Sequence, residues 1–332
     1  MRYIITGAGG HLGSTILRLL QNGDEEVTGL LRQNEEPVVI GEHIRYVSGD
    51  VCRPETLEPL FAKSNGQKLA VIHTAGRVSI AARISPQLRE VNVNGTANML
   101  SLCRRYGVSR FVYVSSVHAI PELPAPQVIR EVEQFPAEQV IGGYAKTKAE
   151  ATQLVLEAAD HGFPAVVVHP SGIIGPYDAG HNHLTQLVAD YLRGKLPVCV
   201  TGGYDFVDVR DVAKGCLLAA EKGRPGQCYI LSGHYLSVLE LLSRAGRLVG
   251  RKPPDIVPIS LARLAAPAVQ AVARLQHRRP LYTRYSLYTL TSNSTFSRRR
   301  AETELGYWPR EIDETIRDMV RWLASSKQVN SV

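Results

Sequence analysis

Tyr144 and Lys148 stand one helical turn apart in the run Tyr144-Ala145-Lys146-Thr147-Lys148, which reads as the opening of a helix. Residues i and i+4 share a helix face, whereas Lys146 points away. That pairing bears on proton transfer. A free tyrosine titrates near pH 10 and is a poor base at neutral pH, but a neighbouring ammonium favours the phenolate. Lowering the phenol by about three units takes roughly 4 kcal/mol of differential stabilisation, within reach of two close cations in a partly desolvated cleft. A second group should hold the oxygen on which Tyr144 acts. The apolar run Phe111-Val112-Tyr113-Val114 ends in Ser115-Ser116. The carboxyl end of a strand is where open α/β sheets bind ligands. A hydroxyl there can hydrogen-bond a carbonyl oxygen as negative charge develops.

A phosphate cradle accompanies this pair. Thr6-Gly7-Ala8-Gly9-Gly10-His11-Leu12-Gly13 lies between a first strand and a first helix. Gly7 permits a tight turn, Gly10 lets backbone approach a pyrophosphate, and Gly13 lets helix and strand pack closely. The helix that opens at His11 and Leu12 offers its free N–H groups and positive dipole end to phosphate. The implied cofactor is a nicotinamide dinucleotide, whose oxidised ring would be the second cation beside Tyr144. A carboxylate closing the second strand would bind a ribose 2′-hydroxyl and repel a 2′-phosphate. Here Val27-Thr28-Gly29-Leu30-Leu31 ends in Arg32, with no acid at Leu31 or Arg32. Arginine suits a phosphate through its forked donors, so the expectation is NADP(H) rather than NAD(H).

The elements that must position these groups alternate along the first half of the chain. Strand-like runs are Tyr3–Thr6, Glu26–Leu31, Ile44–Val47, Leu69–His73, Arg110–Ser116 and Ala165–His169, and helical patterns span Gly10–Asn22, Pro54–Lys63, Pro86–Tyr106 and Gly143–His161. Continuous apolar strands separated by helices require a parallel sheet covered on both faces, with right-handed crossovers. The predicted fold class is α/β, a doubly wound parallel (Rossmann) sheet with a smaller C-terminal substrate lobe. Residues 1–174 form the dinucleotide-binding core, to which 205–233 return through the strand Gln227–Ser232. Residues 175–204 and 234–332 form the substrate lobe, with helices at Val238–Val249 and Ile312–Leu323, while the helix Val207–Glu221 belongs to the returning segment. A proline-rich insertion, His118–Gln139, is expected to stay out of the core.

Composition narrows the class. The chain has 332 residues, 44% hydrophobic and 21% charged, with no biased tract, which excludes disorder as the default. Five cysteines without a CxxC pair read as reduced thiols of a cytoplasmic protein. The first residues already read as a buried strand, leaving none for a signal peptide. No run approaches the ~18 uncharged apolar residues of a spanning helix, so stable membrane insertion is not expected. The stretch Ile259–Gln276, interrupted by Arg263, Pro267 and Arg274, reads as an amphipathic lid or packed helix. The net charge of +7 comes without a nucleic-acid module, so nucleic acid is not an expected partner. Two histidines, His181 and His183, lack a further ligand at plausible spacing, and no metal is expected.

In these motifs the chain resembles the extended branch of the short-chain dehydrogenase/reductase superfamily, of the NAD-dependent epimerase/dehydratase type. It is most similar to the group of dihydroflavonol reductases and 3β-hydroxysteroid dehydrogenases. The matching stretches are TGAGGHLG at Thr6–Gly13, GD at Gly49–Asp50, VIHTAG at Val71–Gly76, NVNGT at Asn92–Thr96, SS at Ser115–Ser116, YAKTK at Tyr144–Lys148, HPSGIIGP at His169–Pro176 and FVDVRDVA at Phe206–Ala213. The resemblance implies that Tyr144 is the general acid/base, that Lys148 binds the nicotinamide ribose and lowers the Tyr144 pKa, and that Ser116, with Ser115 as the alternative, polarises the substrate. It further implies that Asp50 and Val51 contact adenine, that Ala75 and Gly76 border the cofactor, and that Pro170 and Ser171 lie by the nicotinamide. The alternative for Asp50 is a cap for the following helix, Pro54–Lys63. Asn92 reads as a backbone anchor, His73 and His169 as structural, and His118 as either a substrate contact or a solvated loop residue.

The implied activity is hydride transfer between nicotinamide and the carbonyl or secondary alcohol of a small molecule, possible substrates including bulky apolar rings of steroid or flavonoid type. A sugar-nucleotide epimerase or dehydratase is the alternative. Against it stand Arg32 and the run His169-Pro170-Ser171-Gly172, which lacks the asparagine those epimerases use on the sugar nucleotide. A regulator that binds NADP without chemistry is disfavoured by Tyr144 and Lys148. The substrate pocket is expected to draw on the loop after Ser116, on Tyr177–His183 and on Ile259–Tyr288. By analogy with the fold, a homodimer paired through two helices is a further implied partner.

Overall fold

The structure is a computed structural model that describes residues 1–62, 68–81, 83–180, 182–264 and 283–326. His181, Arg278, Arg279 and most of the expected Ile259–Gln276 stretch lie outside the described residues.

In chain order the first strands are β1 (Arg2–Thr6), β2 (Val27–Leu31), β3 (Ile44–Ser48), β4 (Leu69–His73), β5 (Arg110–Val114) and β6 (Ala165–Pro170). They are followed by β7 (Gly172–Ile174), β8 (Val198–Val200), β9 (Gly203–Asp208), β10 (Cys228–Leu231), β11 (His234–Ser237) and β12 (Asp255–Val257). Seven of them make one parallel sheet in the order β3-β2-β1-β4-β5-β6-β10. The order reverses between β1 and β4, which opens a crevice at the carboxyl ends of both. The Rossmann-like architecture is therefore as the apolar runs indicate, and β10 brings the chain back to β6. The remaining strands form two small sheets, β11-β9-β7 and β12-β8.

The α-helices are α1 (His11–Leu20), α2 (Pro86–Arg89), α3 (Gly95–Arg105), α4 (Gly143–Asp160), α5 (His183–Leu192), α6 (Val209–Lys222), α7 (Val238–Arg247), α8 (Arg284–Thr289) and α9 (Ile312–Ser325). Alternate strand residues serve opposite faces of the sheet. Ile4, Val71, Phe111, Tyr113 and Val167 pack with Met99 and Cys103 of α3 and Ala149 and Val155 of α4. Ile5, Ile72, Val112, Val166 and Val168 pack with Ile16 and Leu17 of α1 and Val212 and Cys216 of α6. Each such aliphatic side chain, fully buried, contributes about 1.5–3 kcal/mol, so the sheet is anchored on both sides. No helix among the described residues is long and apolar enough to cross a membrane.

Three expectations are corrected. Pro54–Lys63 is not an α-helix but two 3-10 turns, Pro54–Thr56 and Glu58–Phe61, because Pro59 lacks the amide a continuing helix would need. Pro86–Tyr106 is interrupted by a π turn at Glu90–Asn94. The insertion after Ser116 does reach the core: Ala119, Ile120, Ile129 and Phe135 are buried, and Phe135 stacks on His169 with ring centres 5.1 Å apart. Its prolines shape a loop whose apolar residues face inward.

Candidate active site

Three chain segments meet at the carboxyl ends of β1, β4 and β5. The first is the glycine turn. Gly7 adopts φ +68, and a Cβ there would lie 2.9 Å from the Ala75 amide nitrogen. A Cβ on Gly13 would collide with the Gly7 carbonyl oxygen. Gly10 caps α1 without a side-chain hydrogen bond, so the amides at the head of that helix keep their donor capacity. A cradle that side chains would fill, at the positive end of a helix, fits the pyrophosphate of a nicotinamide dinucleotide. Leu12 is buried behind the turn. His11 is engaged elsewhere: Nε2 contacts the Pro176 carbonyl at 2.8 Å, and Asn182 Nδ2 lies 3.3 Å from Nδ1. Since the carbonyl can only accept, Nε2 carries the proton and Nδ1 accepts from Asn182. His11 thus fastens the turn to the loop after β7.

The second segment is the head of α4. Its cap Gly142 has φ +101, and a Cβ there would fall onto the Tyr285 ring. Tyr144 follows in the first turn, with its hydroxyl against the Ser116 side chain. Burial pushes the Tyr144 phenol up to about 12, opposed by the Ser116 hydroxyl. Lys148 is buried, and burial brings its ammonium down to about 7. Among the chain's own groups burial raises the phenol, opposite in direction to the lowering expected from Lys148 together with an oxidised nicotinamide. Desolvation penalises the charged form of each group, and its effect on the phenol exceeds that of the hydrogen bond. A neutral phenol beside a serine hydroxyl is a proton donor.

The third segment is the strand end that carries the serines. Ser115 is committed to the interior: its hydroxyl meets Thr152 Oγ1 at 2.7 Å, and Thr152 in turn donates to the Lys148 carbonyl at 2.7 Å. Ser116 Oγ accepts the His118 amide at 3.2 Å, which leaves its own hydrogen to donate. His169 steadies this point by donating from Nδ1 to the Ser116 carbonyl at 3.0 Å.

A Cβ on Gly76, which follows Ala75, would lie 3.5 Å from both Lys148 Nζ and Asn92 Oδ1. Asn92, carried on the π turn, accepts the Arg77 amide at 2.7 Å and donates to the Arg77 carbonyl at 3.0 Å. It anchors backbone. Asp50 Oδ1 accepts the Cys52 amide at 2.9 Å, and Val51 packs under Gly95. Asp50 therefore shapes its own turn, and it caps no α-helix. Pro170 ends β6, and the buried Ser171 follows it. Arg32 holds Glu35, its Nη2 lying 2.6 Å from Oε1. The other Glu35 oxygen, Oε2, sits where a Cβ on Gly9 would come within 3.2 Å.

Sequence reading missed Glu35, because it looked for the acid on the strand and not on the turn that folds back from it. It also missed an aromatic cluster. His118 stacks on Tyr204 with centres 5.5 Å apart and meets its hydroxyl at 3.0 Å through Nε2. The ring lies 6.5 Å from Tyr144 and 6.3 Å from Tyr285. Burial holds His118 near 4, hence neutral. His118, Tyr204 and Tyr285, but not Tyr144, line a cavity of about 380 Å³ whose other walls include Ile120, Val140 and Phe296 and the polar Glu122, Gln139 and Asn293. The loop after Ser116 and the Tyr285–Tyr288 stretch contribute as anticipated, whereas Tyr177, Asp178 and His183 do not line it. Local signals for Tyr204 and Tyr285 were lacking, since both reach the site through long-range packing.

The family model described as NAD dependent epimerase/dehydratase matches residues 3–232. Over its whole length the chain is similar to sterol demethylase protein B of Methylococcus capsulatus, 29% identical with 97% of this chain and 98% of that protein covered. It is also similar to the 3 beta-hydroxysteroid dehydrogenase type 7 of Mus musculus, 30% identical with 92% and 91% covered. Among solved structures, gox2253 superposes with a TM-score of 0.83 at 30% identity, covering 98% of each chain.

Proposed function

The chain belongs to the NAD dependent epimerase/dehydratase family, in the extended short-chain dehydrogenase/reductase superfamily, and from that footing we propose that it reduces a ring-bearing apolar ketone, or oxidises the matching secondary alcohol, with NADP(H). The enzyme class and a nicotinamide cofactor follow from the family. The cofactor phosphate, the residue roles and the substrate class are this proposal.

The observation that carries it is the Tyr144 hydroxyl against Ser116, with Lys148, one helical turn further along the same helix, reaching Gly76. When bound, the nicotinamide supplies or takes the hydride. Ser116, oriented by the His118 amide, donates to the carbonyl oxygen. Tyr144 gives that oxygen its proton, and burial keeps the phenol in the protonated form that reduction needs. Lys148 offers its amine to the ribose and, when charged, eases the phenolate left behind. The aromatic side of the cavity, His118, Tyr204, Tyr285 and Phe296, supports a ring substrate, and Glu122, Gln139 and Asn293 offer it polar contacts; the ring is in keeping with the sterol and steroid names of two relatives.

For the cofactor, Arg32 is the proposed seat of the 2′-phosphate. Its side chain is 78% exposed, and an exposed ion pair such as Arg32–Glu35 is worth only about 0–1 kcal/mol. Charge-assisted hydrogen bonds to a phosphate, at roughly 1.5–3 kcal/mol, outweigh it. The test is a panel of cyclic ketones and alcohols followed at the nicotinamide absorbance with NADPH and NADH in parallel. Wild type should act on apolar ring ketones, and Tyr144→Phe should lose turnover about 10²–10⁴-fold while still binding NADPH. Full turnover by Tyr144→Phe would overturn the mechanism. Tightly bound cofactor with turnover needing none added would favour an epimerase.

A further inference from the structure

We propose that Tyr113 is a positioning residue for Lys148, its phenol oxygen and ring face holding the lysine amine at the strand end beside Gly76. The inference rests on the role given to Lys148 above and assigns a task to a side chain of β5 outside the Ser116, Tyr144 and Lys148 set.

Lys148 Nζ has two oxygen partners, and both come from consecutive residues of one strand. It donates to the Val114 carbonyl at 2.6 Å and to the Tyr113 hydroxyl at 3.3 Å. The same nitrogen lies 4.7 Å from the centre of the Tyr113 ring, a distance at which the π face attracts a cation. The backbone carbonyl would be there with any residue in the strand. The phenol would not: only a tyrosine offers the amine both an acceptor oxygen and a π face from position 113.

The tyrosine is itself held. Its ring stacks on His73 with centres 5.9 Å apart, and its hydroxyl lies against Thr96. A directed set of hydrogen bonds fixes those two neighbours. Thr96 Oγ1 spends its hydrogen on the Asn92 carbonyl at 2.8 Å, so at the 3.2 Å contact with His73 the imidazole Nε2 donates. His73 Nδ1 then accepts from Thr6 Oγ1 at 2.7 Å, and Thr6 Oγ1 accepts the Ala75 amide at 3.1 Å. Every member is satisfied only with His73 neutral, and burial keeps it so, near 3. The scaffold under the lysine is therefore continuous with Thr6, the residue before Gly7.

The titratable groups that face the amine are few. His73 comes from β4, Tyr113 from β5 and His169 from β6, while Tyr144, on the lysine's own helix, turns its hydroxyl to Ser116. Among the described residues no carboxylate is bonded to Nζ, so the Tyr113 oxygen is the side-chain acceptor that favours the charged amine. Removing it should make the ammonium harder to keep.

The experiment follows the affinity of NADPH and NADH by nicotinamide fluorescence from pH 5.5 to 9.5 for wild type, Tyr113→Phe and Lys148→Met, with unfolding midpoints recorded over the same range. Wild type should show a transition absent from Lys148→Met. Tyr113→Phe, which keeps the ring, should move the midpoint down by about one pH unit, equivalent to a tenfold change in the protonation constant. The unfolding curves report the same lysine without cofactor: the pH at which wild type and Lys148→Met begin to converge should fall likewise in the Tyr113→Phe background. Coincident midpoints for Tyr113→Phe and wild type in both measurements would reduce Tyr113 to packing and overturn the inference alone. A Lys148→Met protein that titrates like wild type in both would overturn the lysine's role and the inference with it.

Discussion

Arg32 places both Nε and Nη2 on a single oxygen of Glu35, at 2.8 and 2.6 Å, while the other Glu35 oxygen takes the Arg32 backbone amide at 3.0 Å. The basic and acidic groups that would choose between two ribose chemistries thus hold each other. Glu35→Gln should release Arg32 and remove a charge that repels phosphate, raising the NADPH to NADH ratio of kcat/KM by about 5–30-fold, or about 1–2 kcal/mol. Arg32→Ala should lower the same ratio. An unchanged ratio in both variants would place the adenosine ribose elsewhere.

The two serines separate cleanly. Ser116→Ala removes the donor proposed for the substrate oxygen and should lower kcat about 10²–10³-fold, the usual scale for one such donor. Ser115→Ala loses only the bond to Thr152 and should keep kcat within about twofold while costing roughly 1 kcal/mol of stability. Steady-state kinetics beside urea unfolding distinguishes the pair, and equal kinetic losses would contradict the assignment.

Acid should weaken the fold through its histidines. Burial lowers His73 to about 3 and His118 and His169 to about 4, against an ordinary value near 6.5. The unfolded chain then binds protons that the native chain refuses, so stability is full above pH 6.5 and falls toward pH 4. Each histidine contributes up to about 1.4 kcal/mol per pH unit in that window. Urea midpoints at pH 7 and pH 5 measure it, and His169→Gln, which keeps a donor for the Ser116 carbonyl, should flatten the slope. A midpoint that does not drop at pH 5 contradicts this account.

Lys148 has the opposite tendency at higher pH. Its value falls from 10.5 to about 7, so the native chain sheds a proton the unfolded chain keeps between those limits. Stability should rise with pH through that window, and below it the penalty is complete. Lys148→Met is expected to be more stable than wild type at pH 7 by about 1–3 kcal/mol, a gain that vanishes near pH 10.5. Thermal unfolding at pH 7, 9 and 10.5 tests it; a variant less stable than wild type at pH 7 would argue that the lysine's hydrogen bonds outweigh its desolvation.

Gly142→Ala would combine a left-handed backbone with a collision against Tyr285 at the head of the helix that carries Tyr144. It should destabilise by more than the ~1–2 kcal/mol of backbone strain and lower kcat as well. Gly107→Ala, at φ +61 with nothing nearby, provides the control that carries strain alone. Equal losses in the two variants would deny Tyr285 its part.

The sheet, and the placing of Tyr144 and Lys148 on one helix, could be read directly because both depend on short-range pattern. Continuous apolar runs such as Leu69–His73 admit only strands buried on two faces, and Tyr144 and Lys148 share a face because of helical pitch alone. Other features depend on contacts between distant residues. Tyr285 reaches Gly142 across the chain, so no window of sequence contains both. Phe135 looked like part of a solvated proline loop until His169 supplied a stacking partner. The Tyr144 phenol depends on burial as well as on charge: spacing reveals a nearby lysine but says nothing about how much water remains around the hydroxyl.

The aromatic cavity is walled by loop residues 117–141 and by Tyr285–Phe296, together with Tyr204 of a small side sheet, and by no residue of the seven-stranded sheet. If the proposed roles hold, the walls that would select a substrate and the residues that would move its proton lie in different stretches of the chain, so most wall positions are free to change while Tyr144 and Lys148 stay on one helix.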